Sequence, residues 1–555
     1  MPKKRKRKRR AAPAERPAPA APRRDPSTRA RDWLGAADRW VEAHLDVIMV
    51  AILVAGFLIR LRLAGLTYFE MDEAYHARLS IPGFPKLWYT AHEPTHPPLL
   101  IFILHFVRKI GTSEITLRMV PVVAGAIFPW FIYRWVGLVW NRTTGLLVAV
   151  ILVFSPTLAH LSAVVRQYTL GLLFLAIALY LFERSIRSRS ATVMAGFALA
   201  LWLAVASTFP AAFYLAAMAV YALLRFRDPS FTRRLKAIWA GSQVVALGMY
   251  THFLFWQVIP LRKSHLASLR AGTSVYAQLV PGEGDNPLVF SLVGAFRQFE
   301  LVFRSSTFVA GAALALFLGG VAVVFFQRSR IGRRHAAAIA GFLLIPFVLM
   351  CLASFAQVYP WGKSRQTIFI ALSIGLGIGI AADWMLRRRA AAALVAVALL
   401  VPWWIARAEF HQLGVNRVDS REIGREMFGL LRERARGERI LIESGMHWVV
   451  AEYLGGEDWP GRQVDGEVSL NGYRWSTIPG SWSDLDSVWR GVREYRKRSR
   501  IPDGERIWIL DAGGWCELCD GLKKAKNLPI PAGDLHLWKP AAALFPVTAG
   551  QEPSE

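Results

Sequence analysis

Long apolar runs recur along this 555-residue chain, and no other feature narrows its fold as far. A helix that crosses a bilayer needs about 20 predominantly apolar residues, because its backbone polar groups find no water there. Runs approaching that length are Asp46–Leu63, Val120–Leu138, Leu146–Ser162, Leu170–Phe182 with its flanks, Val193–Thr208 and Ala211–Leu224. Others are Ile238–Val258, Phe308–Phe326, Ala337–Phe355, Thr367–Leu386 and Ala390–Ile405. They predict an α-helical polytopic membrane protein with about eleven transmembrane helices. Pro97–Ile110, PPLLIFILHFVRKI, is apolar but too short for a full crossing, and is expected to lie at the membrane face.

Charge placement sets the expected topology. A formal net charge of +27 would suit nucleic-acid binding if it formed one patch. Instead the basic residues fall between apolar runs, in Arg134–Arg142, Arg184–Arg189, Arg225–Lys236, Arg328–Arg334 and Arg387–Arg389. With Pro97–Ile110 left uncounted as a span, all five segments lie on the side of the basic N-terminus, as the positive-inside rule requires. Membrane lipid is therefore the expected partner, and no nucleic acid. Residues 1–45 read as a basic, Ala/Pro-rich disordered cytoplasmic tail and entry segment, held against anionic lipid. No small-residue cleavage site follows the first run.

One polar stretch breaks the apolar pattern on the other side. Leu66–Leu99, LTYFEMDEAYHARLSIPGFPKLWYTAHEPTHPPL, interleaves acids, imidazoles and rings. That mixture suits an interfacial active site, within an expected active-site loop at residues 64–99. Asp72 and Glu73 are adjacent, so on a helix they diverge by about 100° and cannot both face one point. One would act as a base while the other orients it or binds metal. Tyr75 and His76 follow on the same helix. A divalent cation has candidate ligands in Glu73, His92, Glu93 and His96, with polar residues at an interfacial helix start as the equal alternative. Arg118, Arg166, Lys363 and Arg365 would gather on the same face, a cradle for a lipid phosphate. The segment Ile259–Ser305, with Tyr276, Phe296 and Phe299, is the expected acceptor or lid element.

From residue 409 the composition changes, and residues 409–555 read as a small extracytoplasmic α/β domain. HQLGVNRVDSREIGREMFGLLRERARG carries amphipathic helical spacing, whereas ERILIESG and ERIWILDAGG suit buried strands. Cys516 and Cys519 form WCELC, for which a local disulfide is the plain reading outside the cytoplasm. Cys351 sits in an apolar run as packing.

MDEAYHA, EPTHPPLL, LRMVP and VVRQYTL together resemble the integral-membrane glycosyltransferases of the GT-C superfamily, and in particular the protein O-mannosyltransferase and aminoarabinose-transferase group. The resemblance is specific over Asp46 to Phe182 and becomes a pattern of spans through Ile405. It implies a GT-C-like fold in residues 46–408, with interfacial helices in the first outer loop. It also implies an inverting transfer of a sugar from a polyprenyl-phosphate donor to an acceptor hydroxyl on a protein, a lipid such as lipid A, or another glycan. The setting implied is the outer face of a bacterial inner membrane. Carried onto this sequence, Asp72 matches the catalytic acid and Glu73 its partner. His96 with Pro97 and Pro98 matches the HPP element, Arg118 the arginine at the next span, and Arg166 with Tyr168 the Arg-x-Tyr element. Lys363 and Arg365 match the basic loop only loosely, since the expected Arg-Tyr is Arg365-Gln366 here. Metal use varies across the superfamily, so a divalent cation stays open and no other cofactor is implied. Two rivals from other classes remain: a transporter or flippase of a phosphate-bearing lipid or polysaccharide, and a non-catalytic subunit that binds a partner through its C-terminal domain.

Overall fold

The computed structural model describes residues 26–92, 96–260, 279–282, 284–304, 307–386, 389–407, 421–443, 446–456, 467–478, 485–512, 534–538 and 542–549. Glu93, Tyr276, Cys516 and Cys519 lie outside the described residues. The apolar runs named above are helical, with a break at Ser155 in Leu146–Ser162. Among the described residues six helices are long and apolar enough to cross a membrane: Gly35–Ala64, Glu114–Val139, Tyr168–Ser188, Thr307–Phe326, Arg333–Phe355 and Arg365–Met385. Shorter apolar helices, Arg142–Phe154, Ala191–Ser207, Ala211–Arg225 and Ala390–Pro402, pack among them. The chain is a multi-pass membrane protein.

Helix starts follow local chemistry. Ser113, Asn141, Ser190 and Thr232 each accept a first-turn backbone N–H at the head of the helix that follows. The run expected as one span over Leu146–Ser162 is instead broken. Pro156 biases Ser155 away from helical backbone, so one helix stops at Phe154 and a short one, Pro156–Leu161, begins. The carbonyls freed by that break are met by Arg60, buried inside the first long helix. Its guanidinium donates to Val153 O at 2.9 Å, Leu152 O at 3.4 Å and Ser162 Oγ at 3.1 Å. This arginine is a cap for a broken helix, which accounts for a buried cation without assigning it a ligand. Elsewhere the helices meet through small residues: a Cβ on Gly320 would fall 1.9 Å from the Gly377 carbonyl oxygen of the neighbouring helix.

Pro97–Ile110 behaves as its length predicts. Its helix, Leu99–Val107, has 9 residues, a rise of roughly 14 Å that cannot cross the hydrocarbon. Two more short helices, Met71–Leu79 and Lys86–His92, complete the loop.

The C-terminal region is built on a mixed sheet of β1 (Arg439–Glu443), β2 (Val468–Leu470), β3 (Tyr473–Ile478), β4 (Arg506–Asp511), β5 (His536–Trp538) and β6 (Ala542–Thr548). Their order is β2-β3-β1-β4-β6-β5. The three central strands β3, β1 and β4 run parallel and the outer strands pair antiparallel. Near-continuous apolar runs in β1 and β4 are what a parallel sheet covered on both faces requires. Leu441, Ile507 and Ile509 face Val488, Val492 and Tyr495 of helix Leu485–Ser499. Ile440, Ile442 and Trp508 face the opposite way, into a cluster that contains Phe428 and Val450 and continues into Tyr68, Phe69, Ala74 and Leu104 of the membrane-face loop. The sheet region and the loop thus share one core.

Candidate active site

The site is assembled around helix Met71–Leu79. Glu70 caps it: its side chain accepts the Glu73 backbone N–H, and the Glu73 side chain accepts the Glu70 N–H at 3.2 Å. This reciprocal cap fixes Asp72 and Glu73 in the first turn, and their expected divergence follows.

Glu73 turns inward. Its carboxylate receives Arg118 Nε at 2.8 Å and Arg118 Nη2 at 2.6 Å, and it also accepts the Val165 N–H at 2.6 Å. Arg118 then donates to Ala64 O, Thr67 O and Tyr68 O, each at 2.8 Å. All five guanidinium N–H groups are used within the protein, and neither side chain reaches solvent. The expectation that Arg118 faces a lipid phosphate therefore meets a different geometry. This arginine ties the end of the first helix, the loop and the second span to one carboxylate. For the same reason Glu73 has no oxygen to offer a metal.

Asp72 turns outward, where its side chain is 25% exposed. Arg166 Nη2 lies 2.8 Å from its Oδ2, and Arg365 donates to the same oxygen. Burial works to raise the Asp72 pKa, but Arg166 and Arg365 outweigh it, and the carboxyl is held below its ordinary range. Glu70 goes the other way. Its position in the recess, then Glu73, push it up to about 7 against the pull of Arg166 and Arg365, while its side chain stays 41% open to screening water. Arg166 also stacks over Tyr168, 5.8 Å from the ring centre, so the Arg-x-Tyr element acts as one unit. Lys363 is exposed and has no ion-pair partner among the described residues.

Behind Asp72 the two imidazoles meet. His76 donates through Nδ1 to Val165 O at 2.9 Å, and His96 contacts Pro97 O at 3.1 Å. Their Nε2 atoms face each other in hydrogen-bond contact. Burial first, then His96 and the Arg166 and Arg365 guanidiniums, push His76 well below its usual value; burial pushes His96 down to about 4. His92 stands apart, its Nδ1 on Trp88 O at 2.7 Å. Among the described residues no three His, Cys, Asp or Glu side chains come together as a metal site. Phe299, expected in an acceptor element, is buried in the helical core beside Phe317.

Sequence reasoning missed the residues that hold the loop from above. Helix His447–Leu454 lies on the loop helix. Tyr453 Oη accepts the Phe69 N–H at 3.0 Å and donates to Glu114 at 2.8 Å. Glu452 pairs with Arg108 at 3.3 Å, and Trp448 packs on Tyr75 with ring centres 4.8 Å apart. No local motif announces these contacts, since the partners are hundreds of residues apart.

Fold and site together resemble those of a class, the membrane glycosyltransferases of the GT-C type. Residues 95–256 match the family described as dolichyl-phosphate-mannose-protein mannosyltransferase. The chain is similar in fold to ArnT from Cupriavidus metallidurans in the apo state, with TM-score 0.51 and 11% identity, over 92% of this chain and 98% of that one. The same protein bound to undecaprenyl phosphate gives TM-score 0.51 and 12% identity, over 92% and 99%. The oligosaccharyltransferase AglB from Archaeoglobus fulgidus, in complex with an inhibitory peptide and a dolichol-phosphate, is more distant, at TM-score 0.47 and 13% identity over 84% and 70%. A search of curated protein sequences found no match.

Proposed function

We propose that the protein transfers a sugar from a polyprenyl-phosphate donor to an acceptor hydroxyl, with inversion, at the membrane face that carries the loop. The observation that carries this reading is the Asp72 carboxylate, kept ionised and open between Arg166 and Arg365. In the resting state those cations satisfy Asp72. A lipid phosphate entering between them competes for the same guanidiniums, with Lys363 adding a third charge at the rim. Asp72 is then free to take the acceptor proton. As the acceptor oxygen forms its bond to the anomeric carbon, the bond from that carbon to the phosphate oxygen breaks. The electron pair leaves on polyprenyl phosphate, where the cations meet the developing charge.

Glu73 and Arg118 are proposed to position Asp72 without touching substrate. Tyr75, His76, His96 and Tyr168 form the wall behind it. The basic loops on the opposite face support a cytoplasmic N-terminus, with the loop and residues 409–555 outside and residues 46–408 as the membrane body. That the carboxylates and cations gather at one face, away from the midplane, favours a transferase over a transporter.

The test uses the full chain in liposomes with a panel of polyprenyl-phosphate sugars, following release of polyprenyl phosphate. Wild type is expected to release it with one donor class and Asp72→Asn to lose about 10²- to 10⁴-fold in rate while inserting normally. Equal release by the two proteins would overturn the role of Asp72. No release with any donor and any cell-extract acceptor would overturn the transferase reading.

A further inference from the structure

At the end of the helical bundle away from the loop, a cavity of about 470 Å³ opens between the helices Ala211–Arg225 and Arg333–Phe355. His335 Nε2 contacts Val139 O at 2.8 Å, which places the cavity at the far end of the helix that carries Arg118. The two lie about 30 Å apart along that helix. Arg225, Arg227, Asp228, Arg333, Arg334 and His335 contribute to its lining.

The cations there are unequal. Arg225 is spent, paired with Glu183 at 2.7 Å and Asp228 at 2.9 Å. Asp228 is spent too, since its other oxygen accepts the Ser230 N–H at 2.9 Å. Arg227, Arg333 and Arg334 have no ion-pair partner among the described residues, and the cavity's one acid cannot serve them. The 23-residue helix Arg333–Phe355 starts on Gly332 with no capping side chain, which adds positive potential from its first turn. Below the rim the surface turns apolar. Leu223 and Leu344 are exposed on the two helices, and Val220 lies 3.9 Å from where a Cβ on Gly341 would stand, so the faces adjoin. A cationic recess beside exposed leucines on two adjoining helices fits a headgroup with its chains attached.

We propose that this cavity binds the phosphate of an anionic membrane lipid, with the acyl chains laid along Leu223 and Leu344. Phosphate is the group recognised, and the exposed leucines beside it favour a lipid over free phosphate as its source. The volume lies within the usual range for small-ligand sites. The site is separate from the one proposed for the donor, on the opposite face.

The test reconstitutes the full chain into phosphatidylcholine vesicles with and without phosphatidylglycerol, then counts retained lipids by native mass spectrometry after extraction. Wild type is expected to keep phosphatidylglycerol in preference to phosphatidylcholine. The triple variant Arg227→Gln, Arg333→Gln, Arg334→Gln loses that preference, roughly fivefold per cation and about a hundredfold in all. Leu224→Trp fills the cavity without removing charge and is expected to lose the lipid as well, while unfolding at the wild-type temperature in pure phosphatidylcholine. Lipid retention equal to wild type in either variant overturns the proposal. Inorganic phosphate that stabilises detergent-solubilised wild type but not the triple variant, with no lipid preference in wild type, would overturn the lipid source and leave a free-phosphate site.

Discussion

Asp72 and Glu73 are neighbours in the chain but sit in different regions of the molecule. Around Glu73 the protein is closed: a buried carboxylate, a buried guanidinium, and backbone groups that use the donors left over. Around Asp72 it is open on one side: Arg166, behind it, is largely buried, but Arg365 is 40% exposed and able to accept another anion. The difference separates a group that holds a site together from one that can react. Breaking a buried pair strands a charge where no water reaches it, whereas an exposed pair is readily exchanged.

The comparison predicts opposite phenotypes. The largest effect is on rate: Asp72→Asn abolishes most transfer while the thermal unfolding midpoint stays near wild type. Glu73→Gln is expected to cost about 3–5 kcal/mol of stability, read as a large drop in that midpoint, because Arg118 is left buried without its counter-charge. A Glu73→Gln protein that is as stable as wild type yet inactive would break the distinction and put Glu73 in the chemistry. Arg365→Gln sharpens it from the other side. Arg365 is among the cations that depress Asp72, so its removal raises the pKa of the base. Asp72 then protonates at higher pH, and the acid limb of the rate profile moves up. An unmoved limb would mean that a different group controls it.

Much of this was legible in the sequence. The apolar runs became helical, Leu146–Ser162 in two pieces, and the 100° step between adjacent residues foretold the split between Asp72 and Glu73. The strands of ERILIESG and ERIWILDAGG appeared as β1 and β4 because a buried parallel strand needs an unbroken apolar run. The role of Arg118 was not legible. Three of its acceptors are backbone carbonyls, which every residue has and no motif marks. Arg60 hid for the same reason: two of its acceptors, Leu152 O and Val153 O, are open only because Pro156 ends a helix elsewhere in the chain. Helix His447–Leu454, HWVVAEYL, reads locally as an ordinary amphipathic segment, and only the fold brings it onto the loop.

That helix makes a third region, intermediate between the other two. Tyr453→Phe leaves the Phe69 N–H and Glu114 short of a partner, at an expected cost of about 1–3 kcal/mol. If the helix only braces the loop, the transfer rate at saturating substrate should fall less than the midpoint would suggest. A fall in rate without a fall in midpoint would move Tyr453 from brace to site.

The smallest expected effect is a pH dependence of this contact, and its sign follows from His447. Burial first, then Arg78, push its pKa down to about 4, and its Nδ1 accepts the Trp475 Nε1–H at 3.1 Å. The docked helix thus binds fewer protons than the undocked one between about 4 and the ordinary histidine value near 6.5. The stability it contributes is complete above that ordinary value and is lost as pH falls through the window. Glu452 opposes this: burial raises its pKa despite Arg108 and Arg78, so its contribution weakens as pH rises above the ordinary glutamate range. The two trends partly cancel in wild type. His447→Gln keeps an acceptor for Trp475 and removes only the first. Hydrogen-exchange protection over residues 447–454, taken relative to the intrinsic exchange rate at each pH, should therefore fall between pH 7 and pH 5 less in His447→Gln than in wild type. The same change in both proteins would show that His447 does not change its protonation on docking. The contact would then belong with the closed region around Glu73.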